Sequence, residues 1–204
     1  MDVPILKGSR VVLRPLVADD AAALAAAGSE DRATFGLTTV PADLDSALAY
    51  IDGAEAMRLT GWRLPFVIEF DGRVVGSTSY IEPNVWSWPA GSPHQRDGVP
   101  DVCEIGATWL AASAQRTSCN TECKLLLLAH AFETWEVHRV SLRTDARNQR
   151  SRAAIERLGC QFDGVRRADL PGTDDTVRDS AYYSMLAAEW PAAKAALTTR
   201  LQAV

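Results

Sequence analysis

Polar residues follow a predicted strand in the middle of the chain and lead directly into a predicted helix. The strand covers residues 102–110, the polar turn covers residues 113–120, and the helix is expected to begin at Thr121. The first N–H groups of a helix have no partner within the helix, and the helix dipole favours negative charge there. Arg116 adds a full positive charge. The pattern predicts an anion-binding turn, although a plain helix cap has the same sequence features.

The first half of the chain is predicted to contain a strand, two helices and a hairpin. Residues 9–14 form the strand, and Asp19 and Asp20 are candidate N-caps for an Ala-rich helix that reaches about Gly28. The second helix is expected over residues 43–59. Its apolar positions are Leu44, Leu48, Ile51 and Met57. The dipeptide Asp71-Gly72, between two alternating apolar segments, predicts the hairpin.

The second half of the chain alternates strands and helices. After the strand at 102–110 we expect a helix at 121–135, a strand at 137–144, a helix at 149–158, strands at 161–167 and 177–186, and a last helix after Pro191. Gly159 is placed as a helix stop. Residues 83–101, rich in proline and tryptophan, form a long loop of the kind that is often functional. This order predicts an α/β (α+β) fold with a mixed sheet and helices on both faces.

Composition limits the classes of function. The formal net charge of −5 argues against a general nucleic-acid binder, because such proteins neutralise phosphates with excess lysine and arginine. There is no membrane-length apolar run and no signal-peptide pattern, so we expect a cytoplasmic protein that does not act in a membrane. Four cysteines (Cys103, Cys119, Cys123 and Cys160) are expected to be reduced, and no set of residues has the spacing of a metal site.

Three segments carry a more specific pattern. They are Glu-Ile-Gly-x-Thr-Trp-Leu at 104–110, Gln-Arg-Thr-x-x-Asn-Thr-Glu at 115–122, and the segment from Thr144 to Gly159. Together with the opening residues 6–16, they resemble the GNAT superfamily of N-acyltransferases, in the branch that includes the ribosomal-protein N-terminal acetyltransferases. The resemblance spans about residues 5–190. It implies one GNAT-like domain over residues 1–204, with a largely antiparallel sheet.

The resemblance also implies how acetyl-CoA, or another acyl-CoA, is held as co-substrate without a metal. The pantetheine arm is expected beside the strand, the pyrophosphate on the amides of the turn, and Asn148 and Ser151 along the arm and near the thioester. Asn148 offers both a donor and an acceptor, although it is equally suited to be a helix N-cap. The full set of expected cofactor residues is Ile105, Ala107, Thr108, Leu110, Gln115, Arg116, Thr117, Ser118, Cys119, Asn120, Asn148 and Ser151.

The turn departs from the family pattern at two positions that are usually small. Ser118 and Asn120 stand there instead of glycine or alanine. Glycine tolerates positive φ and lets the backbone approach a phosphate closely, and asparagine retains part of that freedom. The Cβ of Ser118 is expected either to crowd the pyrophosphate or to bring a hydroxyl that donates to it; we favour the hydroxyl.

Acyl transfer to an amine by direct attack needs a base, an oxyanion partner and a proton for the leaving thiolate. Glu104, at the start of the cofactor strand, is the predicted base, with a solvated strand-end glutamate as the alternative. A backbone N–H of residues 105–108 is the predicted oxyanion partner. Ser151, Tyr182 and Tyr183 are the candidate proton donors, and one of the two adjacent tyrosines must face inward on its strand.

The acceptor is expected to be a small-molecule amine or a protein N-terminus, and the acyl group acetyl or succinyl. The first two helices and the 83–101 loop are expected to form the acceptor pocket, with Trp86 and Trp88 as substrate-binding candidates. A homodimer is allowed. The main alternative is an acyl-CoA-binding regulatory or sensor module with little turnover, and a third interpretation, a nucleotide-binding α/β protein, lacks the glycine-rich fingerprint.

Overall fold

The structure is a computed structural model that describes residues 1–96 and 98–203. Within them, one mixed sheet has the strand order β1-β2-β3-β4-β5-β6-β8-β7, and only the β5–β6 pair is parallel. The strands are β1 (Leu6–Lys7), β2 (Val11–Pro15), β3 (Arg63–Phe70), β4 (Arg73–Asn84), β5 (Val102–Leu110), β6 (Arg139–Asp145), β7 (Gln161–Pro171) and β8 (Val177–Leu186). The helices are α1 (Ala21–Ser29), α2 (Leu44–Leu59), α3 (Cys119–Ala129), α4 (Gln149–Glu156) and α5 (Trp190–Gln202). The predicted fold class is confirmed.

Helices cover the sheet on two opposite faces. Ser77 of β4 accepts a hydrogen bond from the hydroxyl of Tyr50 on α2, whereas the Tyr80 hydroxyl donates to the Leu127 carbonyl of α3. Because side chains alternate along a strand, residues 77 and 80 point to opposite faces, and α2 and α3 therefore lie on opposite sides. A buried core on both sides includes Phe66, Tyr80 and Leu127.

The hairpin between β3 and β4 forms where the sequence predicts it. Asp71 and Gly72 have φ values of 51° and 76°, as a two-residue turn with left-handed geometry at both positions requires. Asp71 also forms an ion pair with Arg10, which ties the β2 end to the turn.

No helix in the described residues has the length and hydropathy needed to cross a membrane.

Several details differ from the sequence-based expectations. The carboxylate of Asp20 does not cap α1; it accepts from the Val17 N–H at 3.0 Å and binds Arg14. The helix α2 buries Ala47, Ile51 and Ala54, while the expected core positions Leu44, Leu48 and Met57 are exposed. The buried face of α2 thus consists mainly of alanines with Ile51, and the two leucines lie on its outer side.

Three boundaries also move. The helix α3 begins at Cys119, two residues before the predicted start, and ends in a π-helical turn at His130–Thr134. The strand β7 extends to Pro171, four residues beyond the prediction, because it pairs with β8 over its full length with two register shifts. The four cysteines are buried and free.

Candidate active site

A cleft opens where β5 and β6 separate. Their ladder pairs Val102 with Arg139, Cys103 with Val140 and Glu104 with Ser141, and then stops. Beyond that point β5 continues to pair with β4, and β6 with β8, so each strand keeps one edge without a strand partner. A backbone edge of this kind offers donors and acceptors to an extended ligand that carries amides.

The cleft continues into a cavity of about 470 Å³ between the two strands and the helices around them. Six of the expected cofactor residues line it: Ile105, Ala107, Thr108, Asn120, Asn148 and Ser151. Its wall also contains residues that the sequence analysis did not select, chiefly Thr38, Thr39, Tyr50, Arg63, Gly106, Trp109, Lys124, Arg143, Thr144 and Arg178. The first group lies along the exposed edge of β5 and at the starts of α3 and α4, where the resemblance places the cofactor.

The other expected cofactor residues do not line the cavity: Leu110 ends β5, Gln115 to Ser118 form the turn, and Cys119 begins α3. Gln115 uses its amide to donate to the Leu110 carbonyl at 2.9 Å and to the Thr34 hydroxyl at 3.1 Å, so Gln115 fixes the turn and occupies that carbonyl. The Thr117 hydroxyl donates to the Ala114 carbonyl and accepts from the Cys119 N–H. These side chains shape the turn.

The backbone of the turn has the geometry of an anion site. Arg116 adopts a left-handed conformation, with φ of 61°. Among the described residues, the N–H groups of Arg116, Thr117, Ser118, Asn120 and Thr121 donate to no protein acceptor, whereas Cys119 and Glu122 do. Consecutive N–H groups around a left-handed residue at a helix start form a concave nest for phosphate.

Ser118 is placed differently from the expectation. Its backbone is right-handed helical, with φ of −68° and ψ of −14°, so no glycine-like freedom is needed there. Its side chain is buried, and its hydroxyl lies 3.4 Å from the Arg10 guanidinium, from which it accepts. The hydroxyl is therefore oriented by Arg10, just before β2, which lowers the contribution to phosphate binding that we expect from it; the donor role stays a prediction.

Asn148 combines the two roles that the sequence left open. Its Oδ1 accepts from the Ser151 N–H at 3.0 Å, which makes it the N-cap of α4. This bond uses the acceptor end of the amide and leaves the two Nδ2 protons, on a side chain that lines the cavity. The same residue can therefore start the helix and donate to a ligand.

Glu104 lies at the point where the two strands separate. It is 9% exposed and accepts from Arg143 Nε at 3.1 Å. Burial raises the pKa of Glu104 to about 7, although the neighbouring Arg143 acts in the opposite direction. A carboxylate with this pKa can exchange a proton near neutral pH, which a solvated strand-end glutamate with an ordinary pKa does poorly.

The two adjacent tyrosines face opposite sides of β8. The Tyr182 hydroxyl accepts from Arg143 at 2.9 Å and donates to the Asp169 carboxylate at 3.0 Å, so it belongs to the same network as Glu104. Tyr183 is fully buried and bonds Arg152 and Glu156 of the α4 helix region. Neither tyrosine lines the cavity, whereas Ser151 does.

Lys124 is the cavity residue that sequence reasoning missed most clearly. It is 5% exposed on α3, and its ammonium donates to the Thr108 hydroxyl at 2.6 Å. Burial lowers the pKa of Lys124. A charged residue inside the run Cys123-Lys124-Leu125, on a helix expected to be buried, is the signal that could have identified it.

Trp86 and Trp88 are not brought to the cavity. Trp86 stacks on His138 at 5.6 Å between ring centroids, and both tryptophans donate to Asp101. This cluster lies at the beginning of β5 and β6, at the opposite end of the pair from the cleft. Of the elements expected on the acceptor side, α2 contributes Tyr50, and the segment before it contributes Thr38 and Thr39. No described residue of α1 or of the 83–101 loop lines the cavity.

Comparison with known proteins agrees with this architecture. The acetyltransferase (GNAT) domain family matches residues 10–161. YdaF of Bacillus subtilis (strain 168), provisionally assigned as a ribosomal N-acetyltransferase, is 34% identical over 103 residues, which cover 50% of this chain and 55% of YdaF. The aligned part thus spans about half the length of that curated relative.

Solved structures extend the likeness to nearly the whole chain. A provisionally assigned acetyltransferase from T. thermophilus has a TM-score of 0.79 at 30% identity, with 97% of this chain and 96% of that chain covered. Mycobacterium smegmatis RimJ, solved with CoA-disulfide, has a TM-score of 0.77 at 24% identity, with 98% and 97% covered, and so shows the fold alone. With the family match over most of the sequence, the chain belongs to the GNAT family of N-acetyltransferases.

Proposed function

We propose that this enzyme moves an acetyl group from acetyl-CoA to a primary amine by direct attack, and that residues 1–204 act as one catalytic unit. The observation that carries the proposal is the end of the β5–β6 ladder at Glu104 and Ser141, which leaves a backbone edge open beside a buried carboxylate. The neighbouring turn offers five backbone N–H groups to a pyrophosphate. The residues present therefore suit an acyl-CoA co-substrate.

Each residue has a distinct task in this scheme. Glu104 accepts the proton of the attacking ammonium, directly or through water, because burial raises its pKa to about 7. A backbone N–H of residues 105–108 stabilises the oxyanion on the acyl carbonyl. Ser151, whose side chain lines the cavity, supplies the proton to the leaving thiolate. Tyr182 holds Arg143 against Glu104 and is a positioning residue, and Tyr183 is assigned a structural role.

Two acceptor classes follow from different considerations. YdaF is assigned to ribosomal substrates, and a protein N-terminus would extend that relationship to this chain and would place the enzyme in the cytoplasm. A small-molecule amine is favoured by the form of the site, a cavity of about 470 Å³. Succinyl-CoA remains an alternative acyl donor. A homodimer remains a prediction, which sedimentation of the protein would check.

A thiol-release assay tests the proposal. We expect acetyl-CoA to release free thiol when an accepted amine is present, and the amide product to appear in equal amount by mass spectrometry. Thiol release without an N-acylated product would indicate hydrolysis of the thioester. Tight acetyl-CoA binding with no thiol release across amines and N-terminal peptides would favour the regulatory, acyl-CoA-binding alternative.

A further inference from the structure

The wall of the cavity has an unusual charge composition. Four cationic side chains line it, and the lining residues in the described part of the chain include no aspartate or glutamate. The four are Arg63, Lys124, Arg143 and Arg178. The protein as a whole carries a net charge of −5, so this concentration of positive charge is local. A polycationic amine would meet several like charges here, and the carboxylate beside them, Glu104, is already paired with Arg143 at 3.1 Å.

Arg63 is the most informative member of this group. It is 7% exposed, and its bonds go to neutral hydroxyls: Nε donates to Ser79 at 2.7 Å and Nη2 donates to Tyr50 at 2.9 Å. The third nitrogen, Nη1, has no hydrogen-bond partner among the described residues, and Arg63 forms no salt bridge with them. A buried guanidinium without a carboxylate is costly unless a ligand supplies the anion.

Two further arginines face the same space from the other side of the cleft. Arg143 is paired with Glu104 at 3.1 Å, but Arg178 has only the Ser180 hydroxyl, at 3.0 Å, as a side-chain partner. Burial lowers the pKa of Arg178, while the more distant charges of Asp145, Asp169 and Glu104 act in the opposite direction. Of the four lining cations, Arg143 alone forms a salt bridge within the described residues.

The pyrophosphate of CoA does not account for Arg63. Arg63 reaches Ser79, which pairs with Gly106 of β5. Gly106 is four residues before Leu110, where the strand turns toward the phosphate nest, and this is about 13 Å at 3.3 Å per residue. Arg63 is thus level with the point where the strands separate and where the acyl group and the amine must meet. It lies on the α2 face, since its partner Tyr50 belongs to that helix.

We propose that Arg63, with Arg178 across the cleft, forms a carboxylate-binding subsite, so that one of the two reacting partners carries a carboxylate close to the reacting atoms. This inference rests on the proposed N-acyltransferase function and specifies its substrate class. The carboxylate belongs to an amino-acid-like acceptor or to a dicarboxylic acyl group such as succinyl. A guanidinium suits this role because its planar donors match a carboxylate in two parallel bonds.

Matched pairs of substrates test the subsite. Thiol release with acetyl-CoA is measured for the twenty L-amino acids and for their α-amides, which differ from them by the carboxylate. In parallel, dissociation constants for acetyl-CoA and succinyl-CoA are measured by calorimetry. We expect either one acid to be preferred over its amide by at least tenfold in kcat/KM, or succinyl-CoA to bind at least tenfold more tightly than acetyl-CoA. The first result identifies the acceptor as the source of the carboxylate, and the second identifies the acyl group.

Variants connect that preference to the arginines. Arg63→Gln should reduce the preference for the carboxylate-bearing partner at least tenfold while changing acetyl-CoA affinity less than twofold. Arg63→Lys should retain part of that preference. Arg96→Gln is the matched control, because Arg96 is half-buried near the Trp86 cluster and does not line the cavity. If Arg63→Gln fails to fold, the subsite is tested by comparing the preference of Arg178→Gln with that of the wild type.

The outcomes separate this inference from the proposed function. Amides that react as well as the acids, together with equal binding of both acyl-CoAs, overturn the subsite and leave the acyltransferase intact. A preference that survives both Arg63→Gln and Arg178→Gln also overturns it. If no amine releases thiol, the proposed function fails. The subsite is then still tested by two binding measurements: thermal shifts of the CoA-bound protein with each acid and amide, and the affinity for succinyl-CoA.

Discussion

At the scale of single residues, the network around Glu104 sets the chemistry. Glu104, Arg143, Tyr182 and Asp169 are joined by hydrogen bonds of about 3 Å at the point where the strands diverge. Arg143 holds the carboxylate in place, while burial opposes its ionisation. The result is a carboxylate with a pKa of about 7, the group that we propose as the base, oriented by a cation that is itself anchored by Tyr182 and Asp169.

Replacing Glu104 with Gln tests the base. We expect kcat to fall by roughly 10²-fold at pH 7 with little change in acetyl-CoA affinity. In the wild type, activity should fall as the pH drops through about 7, because the raised pKa leaves Glu104 protonated below that value. The Gln variant should lack this acid limb, and its deficit should shrink at high pH, where the amine loses its proton unaided. A pH–rate profile shows both effects.

Glu82 provides the matched control for that experiment. It is an exposed carboxylate on β4 whose charge helps to raise the pKa of Glu104. Glu82→Gln should therefore keep a normal rate above pH 8 and move the acid limb to lower pH. A Glu104→Gln variant with unchanged activity at neutral pH would show that Glu104 is not the base.

Ser118 carries a second prediction at this scale. Because its hydroxyl accepts from Arg10 and its backbone is right-handed, Ser118→Gly should change CoA affinity less than about threefold. The lost hydrogen bond should cost about 1 kcal/mol of stability. Affinities for CoA and pantetheine, measured beside a melting curve, separate the two effects. A tenfold loss of CoA affinity with no loss of pantetheine affinity would show that the hydroxyl does contribute to binding the pyrophosphate.

At the scale of elements, the split between β5 and β6 positions every group of the site. The strand β5 pairs with β4 along its length but follows β6 for only three residues, and Ala107 adopts φ of 49° at an irregularity just beyond the split. The irregularity at Ala107 turns the edge of β5 away from β6. The helix α3 then presents its N-terminal amides at one end of the opening, and the α4 N-cap lies along its side.

Gly106 is the position where this arrangement is most sensitive to a side chain. A Cβ there would lie 2.9 Å from Glu104 Oε1 and 2.7 Å from Ile81 Cδ1, so the carboxylate would have to move. We expect Gly106→Ala to reduce kcat at least tenfold, and to reduce acetyl-CoA affinity much less, because misplacement of a base affects the chemical step. Steady-state kinetics with calorimetric binding check this.

Gly53 of α2 offers a matched comparison, since a Cβ at that site meets no neighbouring atom within 4 Å. Gly53→Ala should keep wild-type kinetics and gain slightly in stability through helix propensity. If Gly106→Ala kept full activity, the position of Glu104 at the split would not be critical for the reaction.

At the scale of the whole molecule, ligand binding should be visible as stability. A ligand present at 100 times its dissociation constant adds about 2.7 kcal/mol to the native state. For a chain of this size that corresponds to roughly 5–10 °C in Tm. Acetyl-CoA should produce such a shift, whereas ATP and NAD should not, because they lack the pantetheine arm that we propose to pair with the open edge of β5. No shift with any acyl-CoA at millimolar concentration would contradict the assignment of the cleft.

The sequence by itself determined which elements form, apart from some boundaries, and it indicated where a site should lie. Short-range signals were sufficient for this: Asp71-Gly72 for the hairpin, Asp43 and Asn148 for two helix starts, and the polar turn for the anion nest. These features depend on backbone conformation and hydrogen bonds between near neighbours, which local residue types control. The choice of Glu104 came from its place at the start of the expected cofactor strand, whereas its raised pKa became visible only in the structure.

Only the tertiary structure decided which side chains converge on the cavity. Arg63 and Lys124 lie 61 positions apart in the sequence yet line the same wall, and no local pattern relates them. The structure likewise directed Ser118 to Arg10 and placed Trp86 against His138, away from the site. Side-chain direction depends on sheet order and register, which are set by packing between distant segments. The charge of the cavity is therefore a property of the fold that residue spacing does not reveal.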